Sequence, residues 1–185
     1  LKKYSLIRRF IFMNYNQAWE FNAEQQRDHI IDWIKDYFAK EGPDARAVIG
    51  ISGGKDSTVA AALLCRALGP DRVIAVKMPF GNQDMDDADK IIQLLGIKKF
   101  YEFDIQPACE ALYEQIANST AQAIRTNVPA RIRMTTLYAI SQSINGRVVC
   151  TDNLSERFIG YSTHWGDNIG DFSPLSNCLE YVSER

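Results

Sequence analysis

Short apolar segments of strand length alternate with helix-like segments along this chain of 185 residues. Parallel strands need a long crossover between them, usually a helix, so the alternation predicts a doubly wound α/β fold with helices on both faces of a parallel sheet. The length fits one domain. The predicted strands are 47–51, 72–78, 99–105 and 147–150, and the predicted helices are 22–41, 57–68, 86–96, 107–118 and 127–144, the last with Pro129 near its first turn.

A glycine-rich turn, "ISGGKDST" (51–58), joins the first predicted strand to the second predicted helix. At such a turn the N–H groups of the helix N-terminus point outward, where an anion is favoured. Gly53 and Gly54 allow a tight turn, and Asp56 can carry a metal ion that bridges phosphate oxygens. The spacing matches neither a Walker loop nor a dinucleotide fingerprint. The turn therefore predicts a phosphate-binding loop, and the plainer alternative is a glycine turn with a capping serine.

The charge balance argues against nucleic acid or a membrane as the main partner. Lys and Arg number 21 against 23 Asp and Glu, for a formal net charge of -2, so a small soluble ligand fits better. Four cysteines without a CxxC pair, with only two histidines, disfavour a zinc cluster. We expect free thiols and a cytoplasmic location.

The N-terminal segment is predicted to be an extension and not a membrane span or signal peptide. Arg8 and Arg9 interrupt the first apolar run, and no cleavage site of the A-x-A type follows, so a membrane span or signal peptide is not predicted. We interpret 1–20 as an N-terminal extension with Met13 as the natural start, ahead of a single domain at 21–185.

A second polar, glycine-rich segment, "TDNLSERFIGYSTHWGDNIGDFSPL" (151–175), follows the fourth predicted strand. The carboxyl ends of parallel strands lie at one edge of the sheet, so we expect this segment and the glycine turn to face one crevice.

Three ordered motifs resemble known proteins. The Ser-Gly-Gly-x-Asp-Ser turn resembles the PP-loop ATP pyrophosphatases, whose fold is Rossmann-like. With "VKMP" (76–79), "ARIRM" (130–134) and the 151–175 segment, the chain is similar over about 20–175 to the ammonia-dependent NAD synthetase family. This resemblance implies an ATP- and Mg²⁺-dependent ligase that amidates deamido-NAD through an acyl adenylate, with release of AMP and pyrophosphate. It also implies a homodimer, with free ammonia or a separate protein as the nitrogen source.

The resemblance assigns roles to individual residues. It implies that Asp56 and Glu156 bind magnesium, and we predict that these two residues and Lys55 form the catalytic group. Arg133 is predicted to face elsewhere and to be structural. The implied ATP-binding residues are Gly50, Ile51, Ser52, Gly53, Gly54, Lys55, Asp56, Ser57 and Thr151, and the implied deamido-NAD residues are Arg131, Tyr161, His164 and Asp171.

Each of these residues also has a plainer interpretation. Asp56 could cap its helix, and Glu156 could be a solvated acid in the first turn of a short helix. Arg131 could pair with a surface carboxylate, Lys55 could point into solvent, and Tyr161 could belong to the core.

The chain departs from the family pattern at three positions. His164 stands in place of a lysine, which predicts a weaker or pH-dependent substrate contact. Cys150 stands in place of a glycine, and Glu180 in place of a lysine that contacts ATP. Either residues are missing from this sequence between about 177 and 185, or the protein is a shortened relative with weak ATP binding and impaired turnover. The alternatives are a catalytically impaired nucleotide-binding homologue and a PP-loop enzyme that adenylates another acceptor; the lack of a basic surface argues against tRNA.

Overall fold

One four-stranded parallel sheet organises the protein, and a parallel sheet was predicted. The structure is a computed structural model that describes residues 22–116 and 120–178, so the predicted extension 1–20, Met13 and Glu180 lie outside the described residues. Its elements are α1 (Ala23–Glu41), β1 (Arg46–Gly50), α2 (Lys55–Leu68), a 3₁₀ turn (Pro70–Arg72), β2 (Val73–Lys77), α3 (Asp86–Leu94), β3 (Lys99–Glu102), α4 (Gln106–Tyr113), α5 (Gln122–Ser143), β4 (Gly146–Val148) and α6 (Leu154–Ile159).

The strand order reverses at β1. From β1 the chain proceeds outward through β2 to β3, and then crosses back so that β4 pairs with the other side of β1. The register aligns Gly50 with Val76 of β2, and Val48 with Val148 of β4. In open α/β sheets, ligands bind at the carboxyl ends of the strands where the order reverses. The topology therefore points to the space between the ends of β1 and β4.

Helices cover both faces of the sheet, because the strand side chains alternate between two apolar cores. Ala47 and Ile49 of β1 lie in a core that also contains residues of α1, α2 and α3. Val48 of β1 and Ile74 of β2 lie in the opposite core, with residues of α4 and α5. The prediction of a doubly wound sheet is thus confirmed.

Two helix starts differ from prediction. Helix α2 begins at Lys55, so Lys55 and Asp56 stand in its first turn. Helix α5 begins at Gln122, which places Pro129 inside the helix; the prediction that Pro129 lies near the first turn was wrong. Proline removes one helical hydrogen bond. Ile124 and Val128 nevertheless pack into the core that contains Val48 and Ile74, and this packing stabilises the helical turns before Pro129. Packing has overridden local propensity here.

Two further features of the structure are the state of the cysteines and the character of the helices. Cys65, Cys109, Cys150 and Cys178 are all unpaired, as predicted. Within the part of the chain that the structure describes, no helix combines the length and the apolar character needed to cross a bilayer.

Candidate functional site

A crevice of about 290 Å³ opens at the carboxyl edge of the sheet. Four parts of the chain line it: the glycine loop (50–57), the exit from β2, one face of α5, and the second loop (151–175). The prediction that the two loops face one crevice is confirmed. The lining residues are Gly50, Ile51, Ser52, Ser57, Val76, Met78, Gln83, Met85, Ala130, Arg133, Met134, Leu137, Val149, Thr151, Gly166, Asp167 and Ile169.

The glycine loop is held by hydrogen bonds among its own residues. The N–H of Gly54 donates to the hydroxyl oxygen of Ser52 (3.2 Å), and the Ser57 hydroxyl donates to the carbonyl of Gly54 (3.0 Å). The Ser52 and Ser57 hydroxyl oxygens lie 3.2 Å apart. Gly53 has φ +85°, a left-handed conformation in which a side chain would be strained. This explains the glycine at that position. The loop therefore forms a compact turn from a short stretch of sequence.

Helix α2 begins where this loop ends. Its N-cap residue is Gly54, which offers no side-chain cap, so the positive end of the helix is not satisfied by a capping side chain. Asp56 stands in the first turn, and its Oδ1 atom is buried without a hydrogen-bond partner in the described structure. The plainer interpretation that Asp56 caps the helix is not supported, because the cap position is Gly54.

Carboxylates accumulate beside the start of the second loop. Asp152 is only 5% exposed, and its Oδ2 atom lacks a hydrogen-bond partner among the described residues. Burial, followed by the nearby charges of Asp167, Glu156 and Asp56, raises the pKa of Asp152 to about 7. The structure therefore brings Asp56 and Glu156, which lie 100 positions apart in the sequence, into one acidic region around Asp152.

Glu156 also has a local structural role. Its Oε2 accepts from the N–H of Asn153 (3.1 Å), while the Asn153 side chain accepts from the N–H of Glu156 (3.0 Å), forming a capping box at the start of α6. This agrees with the plainer interpretation of Glu156 as an acid in the first turn of a short helix.

The carboxylates fit a magnesium ion that is completed by its substrate. Across residues 22–116 and 120–178, no three His, Cys, Asp or Glu side chains are grouped so that they could hold a metal by themselves. Mg²⁺ is usually bound by one or two carboxylates together with phosphate oxygens and water. The orphaned Oδ1 of Asp56 and a second carboxylate from Glu156 match that mode.

Comparison with known proteins places the chain in a family. The family model described as NAD synthase matches residues 27–181. The chain belongs to the NAD synthase family. It is 36% identical over 157 residues to the NH(3)-dependent NAD(+) synthetase of Pyrococcus furiosus, covering 84% of this chain and 59% of that protein. The relative of the same name from Pyrobaculum aerophilum is 36% identical over 171 residues, covering 90% and 63%.

Solved structures of the family share the fold. An NMN synthetase from Francisella tularensis has a TM-score of 0.80 at 34% identity, covering 89% of this chain and 68% of that chain. An NH3-dependent NAD synthetase from Campylobacter jejuni has a TM-score of 0.81 at 29% identity, covering 88% and 71%. The chain spans about three fifths of the length of the two curated relatives.

The two arginines of the NAD synthase motif "ARIRM" occupy different places. Arg133 lines the crevice, so the prediction that it faces elsewhere was wrong. Arg131 lies outside the crevice, in a groove between α4 and α5, and its Nε donates to the carbonyl of His164 (3.1 Å). Residues two apart on a helix point about 200° apart, so only one arginine can face the sheet edge.

The remaining residues that the family resemblance implies lie around the second loop. Thr151 lines the crevice. Tyr161 is 76% exposed, which rules out its alternative interpretation as a core residue. His164 is exposed and lines a neighbouring cavity of about 440 Å³ with Asp152 and Arg157; its ring meets that of Trp165 edge-on.

Asp171 is engaged within the protein. One carboxylate oxygen accepts from the N–H of Val148 in β4 (2.7 Å), and the other accepts from the hydroxyl of Tyr138 in α5 (3.3 Å). Both oxygens therefore tie the second loop to the sheet and to α5, while the carboxylate itself remains exposed.

The sequence-based prediction missed several crevice residues. On α5, the crevice-facing positions Ala130, Arg133, Met134 and Leu137 follow the i, i+3, i+4, i+7 pattern of one helix face, a signal that could have identified Arg133. Asp152 carried no comparable signal, because its burial depends on how the second loop folds back over β4.

Proposed function

We propose that this chain binds ATP in the crevice and catalyses the ATP-dependent amidation of deamido-NAD by ammonia. The observation that carries the proposal is the meeting of the glycine loop and the second loop in one crevice, with the uncapped start of α2 after the first loop and the acidic region of Asp56, Asp152 and Glu156 at the start of the second. Membership of the NAD synthase family supports the same reaction.

The glycine loop and α2 would hold the phosphates. The positive end of α2 and the hydroxyls of Ser52 and Ser57 face the same space, and all three favour an anion. Backbone N–H groups and hydroxyls that are already in place need little rearrangement when charge develops on the departing pyrophosphate. Gly50, Ile51, Gly53, Gly54 and Lys55 complete this proposed phosphate-binding set, and Thr151 is its proposed contact from the second loop.

Magnesium would be held by Asp56 and Glu156 together with phosphate oxygens. When bound, the ion supplies positive charge that stabilises the phosphate oxygens during bond breaking. The two carboxylates contribute ligand oxygens from opposite loops, so the glycine loop and the second loop must both be in place before the site is complete.

The chemical step follows from the weakness of a carboxylate as an electrophile. The substrate carboxylate oxygen attacks the α-phosphorus of ATP, the bond to the β-phosphate oxygen breaks, and pyrophosphate leaves. Ammonia then attacks the carbonyl carbon of the acyl adenylate, loses a proton to solvent or a base, and AMP leaves with the electron pair of the broken C–O bond. Desolvation of the crevice and fixed alignment of the two reactants would supply most of the acceleration.

The deamido-NAD contacts of Arg131, Tyr161, His164 and Asp171 stay predictions. Tyr161 and His164 are exposed, and His164 lines the cavity next to Asp152, so a substrate could reach both side chains. The homodimer, the ammonia source and the cytoplasmic location also stay predictions.

A second acceptor is favoured by one observation. The NMN synthetase from Francisella tularensis is 34% identical over the aligned structure, so the mononucleotide acid that corresponds to NMN is a candidate acceptor as well. Both acceptors carry the same carboxylate, and the first half-reaction would be the same.

The test measures pyrophosphate and amide product from the purified chain with ATP, magnesium, ammonia and each acceptor in turn. We expect product in step with pyrophosphate, and Asp56→Asn should lower the rate about a hundredfold or more, because it removes a metal ligand. Asp44→Asn, an exposed acid at the other edge of the sheet, is the matched control and should leave the rate unchanged. ATP binding without either product would contradict the proposed reaction, and no ATP binding would contradict the nucleotide site.

A further inference from the structure

Arg133 connects α5 to the turn that follows β2. Its Nε donates to the carbonyl of Met78 (3.1 Å), and its Nη2 donates to the side-chain oxygen of Gln83 (3.3 Å). The same Gln83 oxygen accepts from the N–H of Phe80 (3.2 Å). Arg133 and Gln83 thus form a clasp around the turn 78–83, which we call the β2 turn.

The β2 turn forms one wall of the crevice. Met78 and Gln83 line it, and so does Met85, two positions after Gln83. The Met78 side chain is close to Gly50, since a Cβ built on Gly50 would lie 3.2 Å from the methyl carbon of Met78. A shift of the β2 turn would therefore change the width of the crevice next to the glycine loop.

The charge of Arg133 is not neutralised in the described structure. Its two bonds go to a carbonyl and an amide, and among residues 22–116 and 120–178 no carboxylate lies within ion-pair distance of its guanidinium. Arg133 is half-buried, and burial lowers its pKa. A partly desolvated cation at the wall of a crevice is better satisfied when an anion binds there.

We propose that Arg133 is a positioning residue that sets the affinity for ATP, by clasping the β2 turn as the crevice wall and by leaving an unpaired positive charge beside the bound nucleotide. This inference rests on the proposed nucleotide site. It assigns the role to the second arginine of "ARIRM", whereas the resemblance assigned a ligand role only to the first.

A matched control exists at the opposite edge of the sheet. Arg72 also bonds backbone carbonyls, with its Nη2 donating to Ala45 (2.7 Å) and its Nε donating to the same oxygen (3.2 Å). It lies beside the turn that precedes β1, away from the carboxyl edge. A merely structural arginine bond should behave alike at Arg72 and at Arg133.

The experiment measures binding of ATP with magnesium by calorimetry, together with KM and kcat where turnover is seen. Arg133→Lys keeps the charge but cannot make both clasp bonds, and Arg133→Met removes both. Gln83→Ala removes the bond between Arg133 and the Gln83 side chain. We expect the Kd for ATP to rise about tenfold to a hundredfold in Arg133→Met, and about threefold to tenfold in Arg133→Lys and Gln83→Ala. The Arg133→Lys/Gln83→Ala double variant should lose less than the product of the single losses, because both substitutions open the same clasp.

Three results separate this inference from its rivals. We expect KM for ATP to rise while kcat at saturating ATP and KM for the acceptor stay near wild type, and Arg72→Lys to leave ATP affinity unchanged. Unchanged ATP affinity in Arg133→Lys and Gln83→Ala, or an equal loss in Arg72→Lys, would overturn the inference while the proposed function stands. A wild-type chain that does not bind ATP would overturn the proposed function, and the inference with it.

Discussion

The glycine loop and the second loop meet in one crevice, but they are stabilised in different ways. In the glycine loop, Ser52, Gly54 and Ser57 bond one another, so its main contacts span at most five positions. The second loop depends on distant partners: Asp171 bonds Val148 across 23 positions, and the Thr163 hydroxyl donates to Asn127 across 36. One loop is specified locally, whereas the other is specified by the packed domain.

This difference predicts different consequences of substitution. A change in the glycine loop should affect the ligand more than folding, because few other parts of the protein rest on it. A change in the second loop should affect folding first, because its contacts connect β4 and α5. Four substitutions test that contrast, in decreasing order of expected effect.

Asp152→Asn should give the largest change in stability, and the change should depend on pH. The pKa of Asp152 is raised to about 7 by burial and neighbouring carboxylates, whereas an unfolded aspartate titrates near about 4. Its favourable contribution is therefore fully present below about pH 4 and is lost as pH rises through about 7. We expect Asn to be more stabilising at pH 9 than at pH 4 by about 2–4 kcal/mol, measured by urea unfolding in metal-free buffer.

The exposed Asp44→Asn serves as the control and should show no such pH dependence. Equal stability changes for Asp152→Asn at both pH values would contradict the burial of a strained carboxylate at the start of the second loop.

Gly170→Ala should destabilise the fold by about 1–3 kcal/mol. A Cβ at this position would meet the backbone nitrogen of Cys150 at less than contact distance, where the second loop joins the end of β4. Thermal unfolding measures the effect. In the control Gly96→Ala, none of the described residues lies within 4 Å of the added Cβ, so it should show only the cost of a left-handed φ, about 1 kcal/mol. If Gly96→Ala unfolds at a lower temperature than Gly170→Ala, the result would contradict the close contact at Gly170.

Gly53→Ala should cost about 1–2 kcal/mol and weaken ATP binding, because its φ of +85° strains any side chain. Its neighbour Gly54 is the control: it has φ -76°, and its added Cβ would meet only the Ser52 hydroxyl oxygen, at 3.3 Å. We expect Gly54→Ala to retain near-normal stability. Parallel unfolding and ATP-titration experiments compare the two, and equal stability losses would argue against a local turn that needs one particular glycine.

Thr163→Val should have the smallest effect, about 1 kcal/mol, since it removes one hydrogen bond to Asn127 without changing shape. Thr135→Val is the matched control, because Thr135 is exposed and its hydroxyl donates to the Arg131 carbonyl within the same helix. Chemical unfolding of the two variants should separate them. A neutral Thr163→Val would mean that α5 does not hold the second loop through this contact.

The fold could be predicted well from the sequence because its strands, turns and helices are indicated by short-range sequence patterns. The apolar strand of β1, the glycine turn and the helix formers of α2 follow one another directly, and each needs only its neighbours to be recognised. The start of α5 was less predictable, because Ile124 and Val128 contribute through a core that forms only in the folded chain.

The candidate site was only partly predictable for a related reason. Because both loops follow parallel strands, the glycine loop and the second loop were predicted to lie at one sheet edge, and the structure confirms this. The prediction that Arg133 faces away from the site was wrong, since residue type alone does not tell which way a helix is rotated. The sequence-based prediction also passed over Asp152, whose exceptional burial comes from distant segments.

By itself, then, the sequence determined the order of strands and helices, the glycine turn and the edge at which the loops emerge, because periodicity and backbone conformation are local properties. Tertiary structure decided that Arg133 faces the crevice, that Asp152 is buried among other carboxylates, and that Asp171 ties the second loop to β4. Helix rotation, burial and electrostatic surroundings arise only when segments far apart in the chain are packed together.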